Sequence, residues 1–223
     1  MLPALAHVDC WIFDLDNSLY PSSCNLFELI EDRMTDFVAR LIDCDRVEAR
    51  RVQKDYFHSH GTTLSGLMGS HGIDPHEFLD YVHDIDLARV TADPDLVAAI
   101  DRLPGRKYVF TNGDEAYARR VLDRIGLANA FDGLHDIHGM DYVPKPDPTA
   151  YAKLCDRHAI DPTRALFVED MARNLRPAKA IGMTTVWVDN GSEQAGEDAD
   201  SSFIDFVTHD IGAWLHTISK GGE

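Results

Sequence analysis

Two aspartates with one residue between them, Asp14 and Asp16, close the apolar run "VDCWIF" of residues 8–13. Either could act as a nucleophile or a proton carrier, yet like charges this close repel and neither is easily desolvated. Three further clusters stand at comparable places, where an apolar run ends or a helical pattern begins. "TNG" supplies Thr111, Asn112 and Gly113; "VPKPDP" holds Lys145 between two prolines; "FVED" ends in Glu169 and Asp170. Four carboxylates facing one lysine would be unbalanced in a dry cleft. A hard divalent cation repairs the balance, and oxygen donors with few nitrogens favour Mg2+ over zinc. Magnesium shares its shell with phosphate oxygens, so a phosphorylated small molecule is the natural complement. Two residues apart in extended chain, Asp14 and Asp16 point to one side. One could attack phosphorus while the other handles a proton, and a carboxylate nucleophile is a known solution to this chemistry.

Each cluster has a plain alternative when taken singly. Asp-x-Asp and Thr-Asn-Gly are also turn sequences, Lys145 could be a solvated lysine, and Glu169-Asp170 would suit the start of any helix. Their joint occurrence carries the reading, because an open α/β sheet binds ligands at the carboxyl ends of its strands.

The elements that must position them are legible as patterns. Continuous apolar runs at 10–13, 107–111, 165–170 and 184–189 predict strands buried on both faces of a parallel sheet. "DEAYARRVLDRIG" reads as a helix with acidic residues first, arginines after, and Gly126 as its stop. "DPTAYAKLCDRHAI" begins with Asp147 as N-cap and Pro148 at the first helical position, and "MARNLRPAKAIG" ends at Gly182. Strand and helix alternate, which gives an α/β fold, a Rossmann-like doubly wound parallel sheet. Between the first and second strands the patterns are helical instead, with Leu26, Leu29, Ile30, Met34, Phe37, Val38 and Leu41 at helical spacing. A β-α crossover needs only about thirty residues, so residues 20–92 are expected to form an inserted helical subdomain. Residues 1–19 and 93–223 would form the core, with 191–202 an acidic connector and "FIDFVTHDIGAWLHTI" a closing C-terminal helix.

The composition excludes several classes. The chain has 223 residues, 44% of them hydrophobic, and a net formal charge of −17 without any basic block. Polymeric nucleic acid and anionic membranes are therefore not expected partners. The four cysteines, Cys10, Cys24, Cys44 and Cys155, are scattered and form no C-x-x-C, which predicts reduced thiols in a cytoplasmic setting. The amino-terminal stretch does not read as a signal peptide, and no apolar stretch reaches the ~18 residues of a membrane span. Walker A, G-x-G-x-x-G and H-E-x-x-H patterns are absent, against NTPase, dinucleotide and zinc-protease chemistry. His58 and His60 near "GTTL", and His135 and His138, are weak metal signals. Tyr56, Phe57 and Tyr81 could stack on a base but suit a helical core equally, and Cys24 suits packing.

Together "DLDNSLY", "TNG", "KPDP" and "VEDMARN" resemble the four motifs of the haloacid dehalogenase-like superfamily of phosphotransferases, over nearly the whole chain. The resemblance implies a helical cap inserted after the first motif and an aspartyl-phosphate mechanism with Mg2+. Asp14 would be the nucleophile, and Asp16 the general acid and then base, with its main-chain carbonyl on the metal. Thr111, Asn112, Gly113 and Lys145 would bind phosphate, Lys145 also steadying Asp14. Asp170 would bind the metal directly with Glu169 assisting, and Asn174 would support that loop. Dehalogenases of the superfamily lack the second aspartate, so Asp16 points to phosphate esters. "DLDNSLYP", the cap stretch 56–86, "LPGRKYVFTNG" and "FVEDMARNLRPAKAIGMTTVWV" further resemble the pyrimidine 5′-nucleotidase branch, which usually has Thr where Ser18 stands. The implied substrate is a pyrimidine nucleoside 5′-monophosphate. The alternatives are a sugar phosphate or phosphoglycolate and, from a different class, a non-catalytic binding protein on the same fold.

Overall fold

The computed structural model describes residues 2–191, 196 and 199–220. Six parallel strands form one sheet in the order β3-β2-β1-β4-β5-β6. They are β1 Cys10–Phe13, β2 Arg106–Phe110, β3 Gly133–His135, β4 Ala165–Glu169, β5 Thr184–Val188 and β6 Phe206–Thr208. β1 is central, with Cys10 beside Arg106 of β2 on one side and Ala165 of β4 on the other. Trp11, Ile12 and Phe13 are fully buried, as are all five residues of β4, because helices cover both faces. The chain runs outward from β1 to β3 and then crosses back to β4. The topological switch point therefore lies between β1 and β4, where a crevice opens at the carboxyl ends.

Nine α-helices are described: α1 Leu26–Ile42, α2 Arg46–His60, α3 Thr63–His71, α4 Pro75–His83, α5 Pro94–Asp101, α6 Glu115–Ile125, α7 Pro148–His158, α8 Ala172–Ala180 and α9 Ile211–Lys220. Their starts follow ordinary capping chemistry: the carboxylates of Asp45, Asp114 and Asp147 accept main-chain N–H groups of α2, α6 and α7. Gly126 ends α6 at φ +97°, a backbone region that side chains with a Cβ avoid. Helices α1 to α4 pack on one another. At Gly66 of α3 an added Cβ would stand 2.4 Å from the Tyr56 ring, so glycine permits the close approach of α3 to α2.

Two stretches depart from expectation. Residues 203–218 do not form one helix: Phe206–Thr208 pairs with β5 as an edge strand, and α9 begins only at Ile211. Aromatic and β-branched side chains suit that pleated edge, and Asp210 accepts from Ala213 N at 2.9 Å to start the helix. Strand β3 was not expected either; it is three residues long and only His135 is buried. Of the acidic connector expected over 191–202, residues 192–195, 197 and 198 lie outside the described residues. Among the described residues no helix is long and apolar enough to cross a membrane.

Candidate active site

The switch point between β1 and β4 is where the sheet delivers its carboxylates. The Asp14 N–H still donates to Val168 O at 2.9 Å, which carries the β1–β4 ladder one residue past the strand and aims the Asp14 side chain along the sheet edge. Asp14, Glu169 and Asp170 each place a carboxylate oxygen within 4.8 Å of the other two, and all three are buried. Lys145, 1% exposed, reaches them from the loop before α7. Its Nζ donates to Asp14 Oδ1 at 2.7 Å, Glu169 Oε2 at 2.7 Å and Phe110 O at 2.9 Å. An ammonium has three donors, and all three are used.

Asn112 explains how the lysine is held. Its Oδ1 accepts from Lys145 N at 2.9 Å and its Nδ2 donates to Lys145 O at 3.1 Å, a two-point clamp on the lysine's main chain. Thr111 is buried, and its hydroxyl accepts from Gly113 N at 3.0 Å, shaping the turn after β2. Glu169 Oε1 accepts from Met171 N at 3.1 Å, while Asp170 Oδ2 accepts from Asn190 Nδ2 at 2.9 Å. Asn174 Oδ1 is buried at the same edge and accepts no hydrogen bond among the described residues.

The protein groups alone leave this cluster short of positive charge. Burial, reinforced by Glu169, pushes the Asp14 carboxyl up to about 8 despite the Lys145 ammonium. Burial, then Glu169 and Asp14, holds Asp170 well above the usual carboxylate range. Burial also disfavours the charge on Lys145, but Asp14 and Glu169 outweigh it and hold its affinity for the proton above the ordinary value. One added divalent cation would complete the balance. The donors on hand, carboxylate oxygens and the unpartnered Asn174 carbonyl, suit a hard ion that keeps part of its water shell.

Asp16 lines the same cavity as Asp14 but stands outside the three-carboxylate cluster. Its Oδ1 accepts from Tyr20 OH at 2.6 Å and from Tyr117 OH at 2.7 Å. The cavity, about 290 Å³, continues from these groups between the helices, past Phe27, Met34, Gln53, Phe57, Phe78 and His83. All nine residues singled out from sequence, Asp14, Asp16, Thr111, Asn112, Gly113, Lys145, Glu169, Asp170 and Asn174, line it. Of the weaker candidates only Phe57 does, with the Arg173 guanidinium 4.4 Å above its ring. Tyr81 stacks instead with Arg33 and Arg40, at 4.0 and 4.1 Å, outside the cavity lining. His58 and His60 are exposed and not part of the lining.

Several lining groups were not foreseen. His83 of α4 bonds through Nδ1 to Asp114 and stacks on Tyr117 with ring centroids 4.3 Å apart. Gln53 of α2 is 2% exposed; its Oε1 takes the Thr35 hydroxyl at 2.6 Å, and its Nε2 donates to the Met34 sulfur at 3.7 Å. The hydrogen-bonded partners are 18 to 31 residues apart, and no local pattern announces such pairings.

Comparison with known proteins places the geometry in context. A family model described as "haloacid dehalogenase-like hydrolase" matches residues 8–182. Phosphate metabolism protein 8 of Saccharomyces cerevisiae is 27% identical over 191 residues, covering 78% of this chain but 59% of that protein, so the chain spans about six-tenths of its length. Glyceraldehyde 3-phosphate phosphatase of Methanopyrus kandleri is 25% identical over 204 residues, 82% of this chain and 84% of that one. Phosphoglycolate phosphatase of Vibrio cholerae is 31% identical over 110 residues, 48% of this chain and 47% of that one. Among solved structures, a HAD phosphatase from Thermococcus onnurineus superposes with a TM-score of 0.64 at 19% identity, covering 96% of this chain and 99% of that one. The L-2-haloacid dehalogenase from Xanthobacter autotrophicus superposes with a TM-score of 0.59 at 17% identity, covering 95% and 98%. At these identities the structural likeness speaks for the fold.

Proposed function

The chain belongs to the haloacid dehalogenase-like hydrolases, and on that premise we propose that it is a Mg2+-dependent phosphomonoesterase working through an aspartyl-phosphate on Asp14. The observation that carries this is the pairing of two differently held carboxylates in one cavity. Asp14 is bound by Lys145 inside an acidic cluster, while Asp16 is held by two tyrosines outside it. Separate environments suit separate roles. A carbon–halogen hydrolase has no use for the second carboxylate.

Lys145 engages Asp14 Oδ1, which leaves Oδ2 as the attacking oxygen. It forms a bond to phosphorus as the ester P–O bond breaks, and Asp16 gives its proton to the departing oxygen. Asp16 then takes a proton from water, whose oxygen attacks phosphorus and frees Asp14 and inorganic phosphate. Asp14 and Asp170, with Glu169 and the Asp16 main-chain carbonyl assisting, would hold Mg2+, which when bound neutralises the phosphate dianion. With its three donors spent, Lys145 acts on the substrate through its charge and through Asp14. Asn112 serves by clamping that lysine, so its side chain is an orienting group; the Thr111 hydroxyl remains as a phosphate donor, oriented by the hydrogen bond it accepts from the Gly113 N–H. Asn174 supports the Glu169–Asp170 loop.

Residues 20–92 act as the cap, and the cavity between α1, α2 and α4 receives the leaving group. Its walls combine Phe27, Met34 and Phe78 with Glu31, Lys54 and the buried amide of Gln53, and the aromatic side chains and that amide suit a flat ring bearing a carbonyl. A pyrimidine nucleoside 5′-monophosphate is therefore the preferred substrate. The phosphatases of M. kandleri and V. cholerae favour a second reading, a small sugar phosphate or phosphoglycolate. Four free cysteines agree with a cytoplasmic setting. Phosphate release from UMP, CMP, dTMP, AMP, glucose 6-phosphate and phosphoglycolate, with and without Mg2+, tests these readings. Mg2+-dependent release fastest from the pyrimidine nucleotides is expected. Equal rates for AMP would remove the pyrimidine preference, and no release from any ester would remove the phosphatase.

A further inference from the structure

We infer that Tyr20 and Tyr117 are positioning residues for Asp16: together they occupy Oδ1 and reserve Oδ2 as the oxygen that carries the proton to the leaving group. The inference rests on the reading of Asp16 as acid–base group.

The two phenols converge on one atom. Tyr20 OH stands 2.6 Å and Tyr117 OH 2.7 Å from Asp16 Oδ1. A carboxylate oxygen has two lone-pair sites, so both are filled by donors, and a proton on Asp16 has only Oδ2 to occupy. Oδ2 accepts no hydrogen bond among the described residues, and Asp16 lines the cavity that also holds Asp14. Both phenols stay protonated and so remain donors, since burial and then the Asp16 charge push their ionisation well above its ordinary range.

The tyrosines come from separate parts of the chain, and both are buried. Tyr20 lies in the turn four residues after Asp16 and is 4% exposed. Tyr117, 1% exposed, sits in the first turn of α6, where its N–H donates to the N-cap Asp114 Oδ1 at 2.8 Å. Its ring is stacked against His83 with an interplanar angle of 11°, and His83 is fixed through Nδ1 by the other oxygen of Asp114. Two rigid donors thus set the rotation of the Asp16 carboxyl. A general acid must present its proton within hydrogen-bond reach of the leaving oxygen, and a turned carboxyl would present the wrong atom.

Tyrosines that merely complete a polar core would slow every substrate alike, so leaving-group dependence separates the two roles. Transfer from an alkyl phosphate needs a proton on the departing oxygen; 4-nitrophenolate departs without one. The test measures phosphoryl transfer to the enzyme by rapid quench with the best alkyl phosphate of the panel, and by the nitrophenolate burst with 4-nitrophenyl phosphate. Tyr117→Phe and Tyr20→Phe keep the rings and remove only the hydroxyls; should one variant fail to fold, the other is read. Each is expected to slow transfer from the alkyl ester at least about tenfold with KM little changed, and the aryl ester less than about threefold. Asp16→Asn should show the same selectivity, more strongly. Equal losses on both esters, or no loss on either, in the tyrosine variants while Asp16→Asn stays selective would overturn the positioning role alone. If Asp16→Asn itself shows no selectivity, the acid–base reading of Asp16 falls and takes the inference with it.

Discussion

Lys145 Nζ lies 2.7 Å from Asp14 Oδ1, joining residues 131 positions apart across the carboxyl edge of the sheet. Both groups are buried, and the same ammonium holds Glu169 at equal distance. This pair decides how the site tolerates its own charge.

Removing the lysine should therefore cost folding stability as well as turnover. Lys145→Met leaves buried carboxylates without their counter-charge, a change that typically costs about 3–5 kcal/mol. Urea unfolding at neutral pH without metal should show a loss of that order. A loss below about 1 kcal/mol would mean the buried ion pair is not as described.

Removing the other partner should have the opposite balance. Asp14→Asn relieves repulsion from Glu169, and the Asp14 carboxyl is already pushed up to about 8. Unfolding of the metal-free variant should show stability equal to or above the parent's, although turnover is lost. Such separation of stability from activity is expected of a carboxylate kept for chemistry.

Metal binding should appear in stability without any substrate. At about a hundredfold excess over Kd, a ligand of the folded state adds about 2.7 kcal/mol. Mg2+ should raise the melting temperature of the parent protein and leave that of Asp170→Ala unmoved. An equal rise in both would place the ion elsewhere.

The acid limb of stability has a separate origin in His135. It is 1% exposed, neither ring nitrogen has a hydrogen-bond partner among the described residues, and burial pushes its pKa from 6.5 down to about 4. Between those values the unfolded chain binds the proton and the folded one does not. The stability is full above about pH 6.5 and lost progressively as pH falls through 4, by roughly 3 kcal/mol in all. His135→Leu should flatten this part of the curve measured by urea unfolding; an unchanged slope would assign it to other groups.

The parts legible in the sequence share a physical character: they are local. Continuous apolar runs announced β1, β2, β4 and β5, and single capping residues such as Asp147 and Gly126 marked helix ends. Strands β3 and β6 escaped because edge strands of three residues, exposed or half-exposed over most of their length, carry no such run. At the site, residue types at strand ends named the carboxylates, and the stretch before a helix start named the lysine. The clamp of Asn112 on Lys145 and the bond of Tyr117 to Asp16 were hidden, since those bonds join segments whose adjacency only the fold creates. Helix α3 fell inside the stretch expected to be helical but had no pattern of its own: Gly66 and Gly69 weaken a helical reading, yet Gly66 is what lets the helix pack on Tyr56.

The central claim is a covalent phosphoryl group on Asp14. Acid quench of the enzyme during turnover of a phosphomonoester with Mg2+, followed by mass spectrometry of the peptides, measures it directly. The peptide bearing Asp14 should carry the mass of one phosphoryl group, and Asp14→Asn should carry none and release no phosphate. Full phosphate release by Asp14→Asn, or turnover of the parent with no adduct on that peptide, would contradict the account.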